Sequence, residues 1–320
     1  MDFTKDVLKI DCESEADRIC AFIKDQLLSM HREGLVIGLS GGVDSALCAA
    51  LSARAIGKEK VLGLLLPDKE SSPQSAEFAS LYGKRLGIKT ILFDITPVLE
   101  AFGTYEKRDA VAKSVFPEFS EGHRLKITLP SDILNRGNLN FFTLTVIDPA
   151  GAAKSARLNN AQARGIIAAT STKHRVRMMT QYYFAEKSNF LVCGTTNKSE
   201  ALQGLFVKYG DGGVDIEPIA HLFKNQVFQL AENLGVIKKI LERAPSPDTY
   251  SAPVTDEEWY FRMPFNQLDL LLYAWENKVD ISEVCRVMAL TEEQVRRAFR
   301  DFGTKYNATR HLNQAPPILQ

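Results

Sequence analysis

The stretch Ser40-Gly41-Gly42-Val43-Asp44-Ser45 constrains this chain more than any other. An apolar run, Leu35-Val36-Ile37-Gly38-Leu39, precedes it, and a segment of helical composition, Ala46 to Ile56, follows. That order predicts a buried strand, a glycine turn and a helix start near residue 44. Adjacent glycines turn the backbone tightly and, lacking Cβ atoms, let a phosphate approach the N–H groups. A helix N-terminus adds unpaired donors and a positive dipole end, which favour an anion. Ser40 and Ser45 contribute hydroxyl donors. Asp44 would repel a bound phosphate unless a cation lay between them, and Mg²⁺ commonly bridges one or two carboxylates and phosphate oxygens.

The flanking sequence sets this loop on a parallel sheet. A helix is expected over residues 14–32, a second strand from Val61 to Leu66, a helix from about Pro73 to Leu86 stopped by Gly87, and a third strand from Ile88 to Ile95. Strand–helix alternation implies an α/β fold, a parallel sheet with helices on both faces. Ligands of such sheets sit beyond the carboxyl ends of the strands, where SGGVDS lies. Residues 103–170 break the alternation. Leu125 to Asp148 reads as an inserted β-rich excursion, a hairpin or a substrate-covering lid. Helical signal resumes at about 172–186, followed by a strand from Phe190 to Cys193 and helices from Asn197 to Phe206 and Lys224 to Leu234. The predicted organisation is a main domain of residues 1–102 and 171–254, an insertion at 103–170, and a helical extension at 255–320. Within that extension, 281–288 and 292–302 have helix-turn-helix spacing but read as a packed helical pair.

Composition excludes several classes. Lys+Arg and Asp+Glu number 39 each, so no bulk positive charge points to nucleic acid. The five cysteines are scattered without a CxxC pair, which argues against a zinc or iron–sulfur site. The opening residues are too charged for a signal peptide, and no apolar run approaches a membrane span. A cytoplasmic protein is expected. The five histidines show no ligand spacing and read mostly as surface residues.

A second strand-to-helix turn, Gly194-Thr195-Thr196-Asn197-Lys198-Ser199-Glu200, should share the sheet edge with the first. Thr195 can donate to phosphate, and Glu200 can supply a second Mg²⁺ carboxylate. Lys208 to Asp215 is a glycine-rich turn with charged side chains. Lys224 opens a helix, where its charge opposes the dipole, so an anion beside it is expected.

SGGVDS lacks the lysine of a Walker A loop. It resembles the pyrophosphate-binding loop of the N-type ATP pyrophosphatases, which cleave ATP between the α- and β-phosphates. The resemblance becomes specific with LLPDKESSPQS, FDITPVLEAF, RVRMM, GTTNKSE and FVKYGDGGVD, which occur in the order found in NAD⁺ synthetases. It implies a Rossmann-like, adenine nucleotide alpha hydrolase-like fold. It implies ATP-dependent amidation of deamido-NAD⁺ by ammonia through an acyl-adenylate. By resemblance, Gly38, Leu39, Ser40, Gly41, Gly42, Val43, Asp44 and Ser45 cradle ATP phosphates, and Asp44 and Glu200 bind Mg²⁺. Thr195, Lys224 and Ser246 contact ATP, with Asp44 and Lys224 acting in catalysis. Arg175, Lys208 and Asp215 contact deamido-NAD⁺. The resemblance also implies a homodimer. No glutaminase segment precedes SGGVDS, so free ammonia or a separate glutaminase is expected to supply nitrogen. Ser171 and Thr196 depart from the family's usual asparagine and glycine, and the long insertion lies where the family has a short, substrate-covering loop. These departures keep open a paralogue that amidates another carboxylate.

Overall fold

A computed structural model describes residues 2–136 and 141–319. Residues 137–140, part of the expected excursion, lie outside the described residues. The chain opens with α1 (Cys12–Ser29), whose first N–H groups are capped by Asp11. Then come β1 (Gly34–Gly38), α2 (Val43–Ile56), β2 (Val61–Leu65), α3 (Pro73–Leu86) and β3 (Lys89–Leu92). Gly87 ends α3 in the left-handed conformation, as expected of a glycine stop. The third strand is shorter than expected. Asp94 turns the chain by accepting from the Thr96 N–H at 2.8 Å, and α4 (Thr96–Ala101) starts there.

The insertion is built differently from a hairpin. It contains α5 (Thr104–Val115) and three antiparallel strands, β4 (Arg124–Thr128), β5 (Thr143–Ile147) and β6 (Ala153–Arg157). Leu125, Ile127, Leu144 and Val146 bury one face of this sheet. Their alternation is the period-2 pattern of a half-buried strand. Next, α6 runs continuously from Asn159, its capping-box residue, through Asn160–Ser188. It therefore starts about three turns inside the expected insertion and extends across residue 170. The reason is that its buried side changes partners. Ala163 and Ile166 pack in the core of the small sheet, whereas Ala185 packs in the core of the large one. No single apolar stripe marks the whole helix.

The remaining elements are β7 (Phe190–Cys193), α7 (Lys198–Gln203), α8 (Lys224–Asn233), α9 (Lys238–Leu241), α10 (Phe265–Glu276), α11 (Ile281–Met288) and α12 (Glu292–Thr309). The large sheet is parallel, in the order β3-β2-β1-β7. Leu35 of β1 pairs with Val61 of β2 on one side and Leu191 of β7 on the other. Leu35 and Ile37 enter one core with α1, α2 and α8, while Val36 enters the core on the opposite face. Both faces are covered, which explains the nearly continuous apolar run. The order of strands reverses between β1 and β7, the position where open α/β sheets bind ligands. The C-terminal helices pack around Phe261, Leu268, Leu272 and Phe302 in a core shared with Phe3, Leu8, Leu134 and Phe223 from the rest of the chain.

A buried ion network ties the insertion to the sheet. Lys173 of α6 donates to Asp68 at 3.1 Å and Glu70 at 2.8 Å, both in the loop after β2. Arg108 of α5 meets the same Glu70 carboxylate. Buried charges require such partners.

Gly204 ends α7 at φ 68°, and a Cβ there would lie 2.1 Å from Thr309 Oγ1 at the end of α12. Gly204→Ala should therefore destabilise the protein by about 2 kcal/mol or more, through left-handed strain and overpacking. Thermal unfolding should show a Tm several degrees lower, and Thr309→Gly, which also removes the Cβ that would lie 2.2 Å away, should relieve the overpacking in the same chain. An unchanged Tm would contradict this packing.

Candidate active site

The carboxyl ends of β1, β2 and β7 open into a cavity of about 580 Å³. Its floor is the first glycine loop. Leu39 N–H donates to Leu64 O at 2.8 Å, and Gly38 N–H donates to Gln181 Oε1 at 3.1 Å. Ser40 and Ser45 hydroxyls stand 3.1 Å apart, and Ser45 donates to Gly42 O, so the loop is locked from within. Gly41 adopts φ 74°, and any Cβ there would meet Ser75 O at 2.4 Å. Gly42 is the N-cap of α2 and offers no side chain to its first N–H groups. Those donors are left for an anion.

A buried charge centre adjoins this floor through Asp44. Lys224, at the first position of α8, places Nζ 2.5 Å from Asp44 Oδ2 and 3.5 Å from Glu200 Oε1. Asn197 caps α7 through Glu200 N–H and also donates from Nδ2 to Asp44 Oδ1 at 3.0 Å. One residue thus sets the second loop and joins it to the first. Asp269 of α10 accepts from Ser199 Oγ at 2.6 Å and from Asn225 N–H at 2.7 Å, which fixes the start of α8. Burial works against the Lys224 ammonium, but Asp44, Glu200 and Asp256 more than offset it, so its pKa lies above the ordinary lysine value. Burial raises the Glu200 carboxyl well above the usual carboxylate range; Lys224 opposes this, and Asp44 and Asp256 reinforce it. Burial likewise pushes Asp256 up to about 6. The anion expected beside Lys224 is thus supplied here by the protein's own carboxylates.

The cavity wall brings together most of the expected residues. Gly38, Leu39, Ser40, Gly42, Val43, Asp44, Thr195, Glu200, Lys224, Ser246, Arg175 and Lys208 all line it. Gly41 and Ser45 lie outside the lining and shape the loop from behind. Asp215 also lies outside the lining. It accepts from Val192 N–H at 2.7 Å and Tyr182 OH at 3.0 Å, strapping the edge of β7. Lys208 Nζ donates to the carbonyls of His311 and Gln314, which draws the C-terminal tail to the cavity rim.

Several lining residues carried no signal in the sequence. Arg243 donates to Ser75 Oγ at 2.8 Å and reaches Gly41 O at 3.5 Å. Asp248 accepts from Ser72 N–H and Ser75 Oγ, pinning the loop that carries Ser246. His174, by contrast with the surface placement expected of most histidines, stands in the wall. Its Nε2 lies 3.3 Å from Thr249 Oγ1 and its Nδ1 3.6 Å from Asp211 Oδ1. Asp256 comes from the helical extension, which sequence reading set apart from the site.

A parallel sheet with a glycine phosphate loop at its switch point, facing a lysine–carboxylate centre, defines a nucleotide-binding α/β protein. The chain belongs to the NAD synthase family, whose model matches residues 15–126 and 136–312. It is 41% identical over 318 residues to the NH(3)-dependent NAD(+) synthetase of Rhizobium meliloti, covering 99% of this chain and 95% of that protein. It is 38% identical to the same enzyme of Thermotoga maritima, covering 83% of this chain and 89% of that protein. Among solved structures, the NMN synthetase of Francisella tularensis shares the fold at a TM-score of 0.68 and 23% identity, covering 97% of this chain and 99% of that one. The NH3-dependent NAD synthetase of Campylobacter jejuni, in complex with the nitrate ion, does so at 0.64 and 22%, covering 98% and 100%.

Asp256 raises the Glu200 carboxyl by charge repulsion. Asp256→Asn should therefore lower the Glu200 pKa and move its titration to lower pH. Carboxyl-carbon NMR of labelled glutamate, with Glu200→Gln for assignment, reads this directly. A titration that stays put, or moves to higher pH, would contradict the proposed coupling.

Proposed function

We propose that the chain makes NAD⁺ from deamido-NAD⁺, ATP and ammonia, releasing AMP and pyrophosphate. The observation that carries this reading is the pairing of uncapped α2 amides with the Asp44–Lys224–Glu200 centre across one cavity. The near full-length identity to NH(3)-dependent NAD(+) synthetases supports it.

The chemistry follows from charge. A carboxylate is a poor acyl donor because oxide would have to leave. Its oxygen attacks the α-phosphorus, the α–β bridging bond breaks, and pyrophosphate departs with the electron pair. Ammonia then attacks the acyl carbon, AMP leaves, and the nitrogen loses a proton. The barrier in the first step is the meeting of two anions. The α2 N–H groups and the hydroxyls of Ser40 and Thr195 hold the departing pyrophosphate, and Lys224 balances its charge. Ser246 positions the nucleotide from the opposite wall. Asp44 and Glu200 fit a divalent cation, since both carboxylates converge on one ammonium and Glu200 is held above its ordinary pKa. They would hold Mg²⁺, which, when bound, screens the phosphate charge. Arg175 and Lys208 face the acceptor's phosphates, a task suited to a planar guanidinium. Asp215 supports that side from behind β7.

The same reading places the protein in the cytoplasm as a homodimer, fed by free ammonia or by a separate glutaminase. Among the described residues, no helix is long and apolar enough to cross a membrane. Leu92, Phe102, Met179 and Tyr183, each at least half exposed, give an apolar surface around α4 and α6 for the dimer contact.

Asp44→Asn should cut turnover by orders of magnitude while circular dichroism and Tm stay near wild type, and wild type should release AMP and pyrophosphate only with Mg²⁺ present. Release of ADP and phosphate would overturn the reading. Turnover of a different carboxylate, with none of deamido-NAD⁺, would establish the paralogue instead.

A further inference from the structure

A second, smaller cavity of about 220 Å³ lies behind the second loop. Phe206, Lys208 and Leu312 line both cavities, so the two share a wall. Thr195 faces the large cavity and its neighbour Thr196 the small one. A single turn of chain therefore separates the small cavity from the adenylation centre. Glu217 supplies the carboxylate of the small cavity. Its segment is pinned to the loop, because Gly194 N–H donates to Ile216 O at 2.8 Å. Its Cγ packs directly over Gly194, where a Cβ would lie 3.0 Å away.

The small cavity suits a small cation. Glu217 and the buried Thr196 hydroxyl are oxygen acceptors, and Asp211 adds negative potential. Lys208 is the cation on this wall, and its ammonium is engaged by the carbonyls of His311 and Gln314. The reaction needs one further small reactant after ATP and the acceptor fill the large cavity. We propose that the small cavity is the site where ammonium binds, through Glu217 and Thr196, before amidation.

This rests on the amidation reading above. Ammonium cannot attack until it loses a proton, which frees the nitrogen lone pair. Glu217 takes that proton. The nitrogen–carbon bond then forms as the acyl carbon–oxygen bond to AMP breaks, AMP keeps that electron pair, and the nitrogen sheds its second proton to solvent. Burial, and then Asp211, push Glu217 up to about 7, against the Thr196 hydroxyl, so the carboxylate is basic enough to accept.

Steady-state kinetics on Glu217→Gln and Thr196→Val test the site, with ammonium chloride and hydroxylamine as alternative nucleophiles. Hydroxylamine is neutral at the assay pH and needs no deprotonation. The expected result is at least a roughly tenfold rise in the ammonium KM, with the ATP KM little moved and hydroxylamine use largely retained. Glu217→Asp should recover part of the loss. Acceptor-dependent ATP–pyrophosphate exchange without ammonium reads adenylation separately. If wild type shows no exchange, the amidation reading itself fails. If exchange is present and the ammonium KM of the variants is unchanged, the small cavity is not the ammonium site. Equal losses with ammonium and hydroxylamine would mean that Glu217 only supports the loop, which also overturns the proposal.

Discussion

The contact between Lys224 and Asp44 is the one on which the site depends. It joins the helix after β1 to a helix thirty residues beyond β7, 180 positions apart in sequence. A buried ammonium at a helix N-terminus is doubly unfavourable, opposed by desolvation and by the dipole. It persists because Asp44, Glu200 and Asp256 surround it. Asn197 and Asp269 then hold those groups in place, one by capping α7 and the other by anchoring the start of α8. The site is therefore charged and preorganised at the same time, which is what electrostatic stabilisation of phosphoryl transfer requires.

Strand adjacency makes this contact possible. β1 sits between β2 and β7, so its loop has the other two loops as neighbours. The insertion does not interrupt the sheet. It leaves after α4, builds its own three strands and returns along α6. The buried Lys173–Asp68–Glu70–Arg108 network then fixes it over the cavity wall. Phe142 and Ile167 from this region reach the cavity, so the insertion helps shape it.

Local chemistry in the sequence made much of this legible. Apolar runs at 35–39 and 61–66, glycines at turn positions and the pairing of SGGVDS with GTTNKSE led to the parallel sheet and to the cavity-facing residues of those two loops, while Arg175, Lys208 and Ser246 came from the family resemblance. Less was legible where tertiary context decides. α6 hides its length because its apolar side switches cores midway. Arg243, Asp248, Asp256 and His174 reach the cavity through long-range packing that no spacing encodes. The family resemblance put Asp215 among the acceptor contacts, and in the structure its carboxylate accepts from Val192 N–H and Tyr182 OH. Glu217, two residues later, follows the bridge residue Ile216 and lines the smaller cavity.

The central claim is that the carboxylate of the acceptor is activated as an acyl-adenylate inside this cavity. Deamido-NAD⁺ carrying heavy oxygen in its nicotinate carboxylate tests it most directly. Mass spectrometry of the products after turnover with ATP and ammonium should find one labelled oxygen in the phosphate of AMP and the other in the amide of NAD⁺. Label absent from AMP, or found in pyrophosphate, would contradict the account.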